Sequence, residues 1–367
     1  MPARIAVFTG GGDAPGLNAV IRAVTRTAIL NYGWEVYGIR DGLEGVLLDR
    51  PDGVVRLNLH TVSEILPRGG TILGTVNRAD PRLYTVQGGR TVVTDWAKER
   101  LRSWVKGQGI KGVVAIGGDG TMNIGYQLFE AGIPLVGVPK TIDNDLMGTD
   151  LTFGFDSAID VATDALDRLR TTARSHKRVM VLEVMGRNAG WIALHAGVAG
   201  GAHVILLPEI SFRLEAVCHA LRQRWQRGSQ YALVVVAEGA YPVGGAPIYH
   251  EIGGKKRLGG VGEWLAQCIY EVCGYEARAV VLGHLQRGGS PSAFDRILAT
   301  QYGVAAVRCV ASGTFGVMVG LHGKGIQHVP LSDVVGRQKI VAPDDPLVDI
   351  ARDLGVAFGD EGEDNPA

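Results

Sequence analysis

The sequence predicts an α/β protein made of two doubly wound, mostly parallel three-layer sandwich domains. Short apolar runs rich in Val, Ile and Leu alternate along the chain with longer amphipathic runs, which is typical of β–α–β architectures. Within the short runs, apolar residues do not alternate with polar ones, as expected of parallel strands that are buried on both faces. The chain has 367 residues, too many for one such sheet of usual size.

Eight apolar runs are predicted as strands: Ile5–Thr9, Glu35–Ile39, Val113–Ile116, Leu135–Val138, Val179–Glu183, Val204–Leu207, Leu233–Ala237 and Ala279–Leu282. Eight amphipathic runs are predicted as helices: Asn18–Leu30, Thr94–Lys106, Thr121–Ala131, Ser157–Thr172, Ala189–Ala199, Leu214–Gln226, Leu258–Cys273 and Ser292–Ala311. The alternation of the two kinds of element supports the doubly wound architecture.

The composition excludes several classes of protein. Basic and acidic residues number 37 each, so the strongly basic surface of a nucleic-acid-binding protein is absent. The four cysteines lack paired CxxC spacing, which argues against a disulfide scaffold and against structural zinc. No apolar run approaches the roughly 20 residues of a membrane span, and the N-terminus lacks a signal-peptide pattern. We therefore expect a cytoplasmic protein with neither nucleic acid nor membrane as partner.

The loop Pro139–Asp145 is the most informative stretch of the chain. It follows a predicted strand and carries Asp143 and Asp145 beside Lys140 and Thr141. Carboxylates at the end of a buried strand are costly unless a metal or a reaction uses them, although an Asx-rich surface turn would also contain them. Because strand ends converge at one edge of a parallel sheet, one carboxylate can act as a base while another helps to hold a metal.

Two glycine turns are candidates for binding phosphate. Thr9–Asn18 joins the first strand to the first helix, and Gly117–Thr121 joins a later pair. Successive glycines let backbone N–H groups form an anion nest beside a helix N-terminus. The first turn could instead be a ligand-free connection, and Asp119 in the second could simply cap a helix. Two such turns in corresponding places favour phosphate and divalent metal, hence phosphoryl transfer.

The second half of the chain predicts an anion site. Arginines and a histidine lie at the edges of apolar strands. They are Arg178, Arg187, Arg278, His284 and Arg287. A lone arginine is usually a solvated surface group, whereas this group is typical of a site for a sugar phosphate.

Together these motifs resemble the bacterial-type 6-phosphofructokinase family, in its actinobacterial-like, mixed-substrate subgroup. The resemblance runs from Ile5 to about Gly313. It is carried by GGGDAPGLNA, IGGDGT, PKTIDND, GTDLTFGFDSA, EVMGRNAG, AEG and LGHLQRGGSPSAFDR. It implies an active site in the cleft between two domains and transfer of a phosphoryl group from ATP to fructose 6-phosphate, with Mg²⁺ as cofactor.

The resemblance also implies a role for individual residues. Asp143 would be the base, Thr141 and Asp145 would orient the reacting groups, and Arg187 would stabilise the transferred phosphoryl. The donor would be held by Gly11, Gly12, Arg78, Gly118, Asp119, Gly120, Thr121 and Lys140. Gly11 would also serve catalysis, and Asp119 would carry Mg²⁺. The sugar phosphate would contact Thr141, Asp143, Asp145, Met185, Gly186, Arg187, Glu238, His284 and Arg287. Arg178 and Arg278 would reach it from a neighbouring subunit, which implies a homodimer or a homotetramer.

Two positions give mixed signals about the donor. Pyrophosphate enzymes of the family carry an acidic residue at the position of Gly120 and a lysine at the position of Lys140. This chain has only the lysine. Gly120 leaves space for the α-phosphate, so we predict ATP, with pyrophosphate as the alternative. His203 stands where the allosteric enzymes have an effector-site acid, so regulation by ADP or phosphoenolpyruvate stays open, as does activity on sedoheptulose 7-phosphate.

The resemblance refines the domain boundaries, which the sequence alone places near Thr152. A donor domain is predicted over residues 1–153 with about 286–336. A sugar-phosphate domain is predicted over about 154–285 with about 337–358, followed by a flexible tail over 359–367. An NAD kinase-like or diacylglycerol kinase-like enzyme would explain only GGDGT. A dehydrogenase would need a GxGxxG turn, and a non-catalytic subunit would be expected to lose the acid pair.

Overall fold

The structure is a computed structural model that describes residues 2–76, 80–252 and 255–361. Its strands are β1 Arg4–Thr9, β2 Glu35–Ile39, β3 Val54–Leu57, β4 Tyr84–Gln87, β5 Arg90–Val93, β6 Ile110–Gly117, β7 Leu135–Pro139, β8 Val179–Val184, β9 Val204–Leu206, β10 Ala232–Ala237, β11 Tyr249–Ile252, β12 Lys255–Leu258, β13 Ala277–Val281, β14 Val317–His322 and β15 Gly325–Pro330. Its α-helices are α1 Leu17–Tyr32, α2 Glu44–Leu47, α3 Asp95–Gly107, α4 Asp119–Glu130, α5 Phe155–His176, α6 Trp191–Ala199, α7 Leu214–Gln226, α8 Val261–Cys268, α9 Ala293–Ser312, α10 Leu331–Val334 and α11 Pro346–Asp353.

The chain packs into two compact units, each assembled from separate stretches. The first unit contains Met1–Ile142, Leu146–Asp156 and Arg287–Gln338. The second unit contains Asp143–Asp145, Ser157–Gln286 and Lys339–Ala367. The assignment of one domain to the donor and one to the sugar phosphate remains a prediction.

The first unit is built on a seven-stranded sheet with the order β15-β14-β7-β6-β1-β2-β3. Its central pairs, β7-β6, β6-β1 and β1-β2, are parallel. Along β1, Ile5 and Val7 pack into a core with α1 and α9, whereas Ala6 and Phe8 pack into a second core with α3 and α4. Successive side chains of a strand point to opposite faces, so this sheet forms the middle of three layers.

The second unit is built on a four-stranded parallel sheet with the order β13-β8-β10-β9. All six residues of β8 are buried, and so are all six of β10. One face packs against α7 and α8, and α6 packs against β9 and β10. The continuous apolar runs of β8 and β10 are thus parallel strands covered on both faces, as predicted.

The antiparallel margins of the molecule were not predicted. They comprise β3 and β15 at the edges of the large sheet and the hairpins β4-β5 and β11-β12. Most of them contain polar, exposed residues and therefore lack the apolar runs by which buried strands are recognised. β14, which is apolar and pairs in parallel with β7, was also missed, as were α2, α10 and α11.

One predicted helix is shorter than expected. The run Leu258–Cys273 was predicted as one helix, but α8 begins only at Val261, after two glycines with positive φ. The buried carboxylate of Glu183 accepts hydrogen bonds from the N–H groups of Gly260 and Gly262 at this helix start. Beyond Cys268 the chain continues as a π-helical turn, Ile269–Cys273.

The cysteine spacing was a poor guide to cysteine pairing. Cys218 in α7 and Cys273 at the end of the π-helical turn form a disulfide, with Cα atoms 5.5 Å apart. The expectation of no disulfide was wrong because α7 and the π-helical turn pack together in the fold, although 55 residues separate the two cysteines. Cys268 and Cys309 are free thiols. Within the described ranges, no helix is both long enough and apolar enough to cross a bilayer.

Candidate active site

The turn after β1 brings the backbone close to two side chains. A Cβ atom on Gly10 would lie 2.6 Å from Oγ1 of Thr121, and one on Gly12 would lie 2.5 Å from Nη1 of Arg287. Gly11 between them has a φ of 75°. The positions of Gly10 and Gly11 therefore favour glycine, and the turn presents backbone rather than side chains, as an anion nest does.

The second glycine turn leads into α4. Gly118 precedes the helix, and its carbonyl accepts the N–H groups of Thr121 and Met122. Asp119 is the first residue of α4 and is half-buried. A Cβ atom on Gly120 would meet nothing within 4 Å. The helix N-terminus adds its positive end to the N–H groups of the first turn.

Both turns open into one cavity of about 330 Å³ within the first unit. The cavity is lined by Phe8, Gly10, Gly11, Gly12, Asp41, Gly42, Leu43, Glu44, Val76, Tyr84, Thr91, Gly118, Gly120, Thr121, Ile124, Lys140, Thr141 and Arg287. The lining thus combines two glycine turns with an apolar set drawn from Phe8, Leu43, Val76, Tyr84 and Ile124.

Charged groups in this cavity are paired. Asp41 and Glu44 both bind Arg50, at 2.7 Å and 2.5 Å. Lys140 is only 4% exposed, and its ammonium donates a hydrogen bond to the carbonyl oxygen of Gly12. Burial raises the pKa of Tyr84, so its phenol stays neutral at physiological pH.

Arg287 lies in an unexpected place. The resemblance assigned it to the sugar phosphate, whereas the structure places it in the first unit, on the wall of the cavity that contains the predicted donor residues. Its Nη1 donates to the carbonyl of Asp13 at 3.1 Å. Thr141, also assigned to the sugar, lines the same cavity, and its carbonyl accepts from Oγ1 of Thr152 at 2.7 Å.

In the second unit, several predicted residues meet at the carboxyl end of the sheet. Met185, Gly186 and Arg187 follow β8, and Glu238 follows β10, the neighbouring strand. The N–H of Glu238 donates to the carbonyl of Val184 at 2.9 Å. His284 lies in the 3₁₀ turn Gly283–Arg287 after β13, on the other side of β8.

The structure places two further arginines at the opposite end of this sheet. Arg178 immediately precedes β8, and Arg278 is the second residue of β13. Both pair with Glu276, at 3.5 Å and 3.0 Å. Since a six-residue strand spans about 20 Å, these arginines and Glu238 are too far apart to hold one small ligand within a single chain.

The Asp143–Asp145 loop belongs to the second unit. Its central residue, Asn144, is 3% exposed and has a φ of 51°. Asn adopts this left-handed conformation more readily than most residues, and the conformation sets the directions of the two carboxylates that flank it. Ammonium Nζ of Lys339 donates to Oδ1 of Asn144 at 3.0 Å, and the N–H of Lys339 donates to the carbonyl of Asp145 at 2.9 Å.

Sequence reasoning missed Glu209 and Lys339. Glu209 accepts hydrogen bonds from the N–H groups of Gly190, at 3.0 Å, and Val341, at 2.8 Å. Burial raises the pKa of its carboxyl above the usual range. Neither residue lies in a glycine turn or an acid pair, and neither is close in sequence to its partners, so no signal in the sequence marks them.

Arg78, a predicted donor ligand, lies outside the described residues. Among the described residues there is no group of three or more His, Cys, Asp or Glu that could hold a metal ion. Asp119 alone fits a metal that arrives with phosphates, because Mg²⁺ typically uses one or two protein carboxylates together with substrate phosphates and water.

Comparison with known proteins identifies the family of the chain. The family model described as Phosphofructokinase matches residues 4–310. The ATP-dependent 6-phosphofructokinase of Chloroflexus aurantiacus is 51% identical over 371 residues, which cover 98% of each chain. The pyrophosphate–fructose 6-phosphate 1-phosphotransferase of Amycolatopsis methanolica is 52% identical over 348 residues, which cover 93% of this chain and 97% of the relative.

A solved structure resembles the fold over the same extent. The pyrophosphate-dependent phosphofructokinase from Nitrosospira multiformis superposes with a TM-score of 0.80 at 25% identity, covering 99% of this chain and 93% of that one. The predicted family and the predicted α/β fold are both confirmed. The chain is an enzyme of the phosphofructokinase family.

Proposed function

We propose that this enzyme transfers the terminal phosphoryl group of ATP to the 1-hydroxyl of fructose 6-phosphate, giving fructose 1,6-bisphosphate and ADP. The observation that carries this proposal is the cavity of the first unit. Its two glycine turns offer backbone N–H groups to phosphates, and its lining also includes an apolar set. A nucleotide needs both features, because its phosphates bind to the turns and its base requires apolar contacts.

The same cavity favours ATP over pyrophosphate. Pyrophosphate has no apolar part and would leave the partly exposed Val76, Tyr84 and Ile124 without a ligand to cover. A Cβ atom on Gly120 would meet nothing within 4 Å, so this position leaves the space beside it open, as a nucleotide donor requires.

Lys140 supports pyrophosphate as a second candidate. Its ammonium lies against the Gly12 carbonyl in the phosphate-binding part of the cavity and adds positive charge for a compact anion. The Amycolatopsis relative, at 52% identity, is named for its use of pyrophosphate. We favour ATP because charge near the phosphates serves both donors, whereas apolar lining serves only the nucleotide.

The chain's own residues account for the chemistry. Gly11, Gly12 and the start of α4 bind the donor's phosphates, and Asp119 would hold the Mg²⁺ that accompanies them. That ion supplies positive charge against the phosphate oxygens. Asp143 takes the proton from the 1-hydroxyl as the oxygen attacks the terminal phosphorus, and ADP leaves with the electrons of the broken bond. Arg187 stabilises the charge on the phosphoryl group in transit.

The sugar phosphate is bound mainly by the second unit. Met185, Gly186, Glu238 and His284 share the carboxyl end of its sheet and bind the sugar. Arg178 and Arg278 lie at the far end, so they serve the 6-phosphate of a neighbouring subunit. The functional protein is therefore a homo-oligomer with shared sites.

A coupled assay tests this function directly. Purified protein is mixed with fructose 6-phosphate and either Mg·ATP or Mg·pyrophosphate, and fructose 1,6-bisphosphate is measured. We expect kcat/KM to be at least about tenfold higher with ATP, since an extra set of apolar contacts is typically worth more than 1.4 kcal/mol. Turnover that is much faster with pyrophosphate would overturn the assignment of the donor. No fructose 1,6-bisphosphate with either donor would overturn the function itself.

A further inference from the structure

Lys339 contacts two consecutive residues of the Asp143–Asp145 loop. Its main-chain N–H donates to the carbonyl of Asp145 at 2.9 Å, and its ammonium donates to Oδ1 of Asn144 at 3.0 Å. Lys339 and the loop both belong to the second unit, although nearly 200 residues separate them in sequence. A single residue thus binds the loop by both its backbone and its side chain.

The loop needs such support because its central residue is strained. Asn144 has a φ of 51° and is 3% exposed, a conformation that persists only where the surroundings hold it. The hydrogen bond from an ammonium to its amide oxygen is charge-assisted and therefore among the stronger kinds. If Asn144 relaxes, the backbone on either side turns, and both flanking carboxylates change direction.

Lys339 is also tied to the start of α6. Its carbonyl accepts the Nε1–H of Trp191 at 2.9 Å, and its ammonium lies 5.8 Å from the centre of that ring, within the range of a cation–π contact. Two residues further on, the N–H of Val341 donates to Glu209, whose carboxylate also accepts the N–H of Gly190. Gly190 closes the turn that contains Arg187.

We propose that Lys339 is a positioning residue for phosphoryl transfer: it holds the Asp143–Asp145 loop and links it to the turn of Arg187. This inference rests on the function proposed above, in which Asp143 is the base and Arg187 stabilises the transferred group. No bond-making or bond-breaking step is assigned to Lys339 itself. It acts by keeping the base and the arginine in fixed positions within the second unit.

The variant Lys339→Met separates this role from folding. It keeps the length of the side chain and both main-chain hydrogen bonds but loses the ammonium. We expect kcat to fall about ten- to a hundredfold, because a misplacement of about 1 Å costs up to a hundredfold in rate. Both KM values and the midpoint of thermal unfolding should stay close to those of the wild type. Lys339→Arg, which keeps a cationic donor, should recover most of the loss.

Lys324→Met is the matched control. Lys324 is exposed in the turn between β14 and β15, and this variant should show wild-type kcat. If Lys339→Met has a kcat within twofold of wild type, or if Lys339→Arg is no better than the methionine variant, Lys339 does not position the reaction.

Hydrogen exchange tests the same inference without using activity. Amide exchange of a peptide covering residues 139–150 is followed by mass spectrometry in the wild type and in Lys339→Met. We expect exchange in this peptide to be about tenfold faster in the variant, because local opening becomes easier when a stabilising contact is lost. Unchanged exchange would overturn the inference even if the protein proved inactive on fructose 6-phosphate, whereas faster exchange in an inactive protein would count against the proposed function alone.

Discussion

The two units use the ends of their parallel strands in different ways. In the first unit, the turns after β1 and β6 present glycine backbone, with Gly10, Gly12 and Gly118 facing a single cavity. In the second unit, the turns after β8 and β10 present long side chains such as Arg187 and Glu238. The first unit offers backbone N–H groups and a helix N-terminus. The second unit offers charged side chains, whose positions depend on the contacts that hold them.

Backbone N–H groups and charged side chains suit different kinds of ligand. Backbone N–H groups suit the phosphates of a donor, because any chain that folds the turn presents them in the same way. A sugar needs contacts that differ from one hydroxyl to the next, and side chains provide these. The comparison therefore predicts that substitutions in the second unit change the chemistry, and that substitutions in the first change which donor is accepted.

The largest effect is expected at the Asp143–Asp145 loop. Asp143→Asn keeps the shape of the side chain but removes the proposed base, so kcat should fall by about 10²- to 10⁴-fold. KM for fructose 6-phosphate should change much less, because the other residues proposed to bind the sugar remain. Steady-state kinetics with Mg·ATP measures both quantities.

Asp164→Asn is the control for that substitution. Asp164 lies on α5 in the same unit, where it forms an exposed ion pair with Arg168, and such pairs contribute little. This variant should keep wild-type kcat. An Asp143→Asn enzyme with near-normal turnover would show that another group accepts the proton.

The two units also differ in how far the sequence predicts them. The glycine turns of the first unit were predicted because a turn is a local structure, and the glycines Gly10–Gly12 and Gly117–Gly118 are consecutive in the sequence. The contacts of Lys339 and Glu209 join residues far apart in the chain, so only the folded structure displays them. The same reason explains why the Cys218–Cys273 bond was missed. Strands with polar, exposed faces were missed because they lack apolar runs, whereas the parallel strands other than β14 were predicted.

A smaller effect is expected from a half-buried histidine of the second unit. Burial lowers the pKa of His203 to about 4, with Arg224 and Arg170 adding to the shift. The N–H of Leu233 donates to its Nδ1 at 2.8 Å. Because His203 takes up its proton at higher pH when unfolded, the unfolded state binds more protons between about pH 6.5 and pH 4, and stability falls as the pH falls through this window.

The variant His203→Gln isolates this contribution. Between pH 7 and pH 4.5, wild type should lose on the order of 2 kcal/mol more free energy of unfolding than the variant, since each pKa unit corresponds to about 1.4 kcal/mol. Urea unfolding at both pH values measures the difference. Equal losses in the two proteins would mean that His203 takes up its proton as readily in the folded state as in the unfolded state.

The most direct test of the division between the units is the choice of donor in Gly120→Asp. Gly120 has open space around its Cα and lies in the first turn of α4, where an acid suits the helix, so the fold should survive. The new carboxylate adds bulk and negative charge beside the phosphates of the donor. The control is Gly107→Asp, which places the same side chain at the exposed end of α3. The quantity compared is the ratio of kcat/KM for ATP to kcat/KM for pyrophosphate. We predict that this ratio exceeds one in the wild type and in the control, and that it is about tenfold lower in Gly120→Asp than in the wild type. A ratio that does not change, or a wild-type enzyme that prefers pyrophosphate, would contradict the account of the first unit as a nucleotide site.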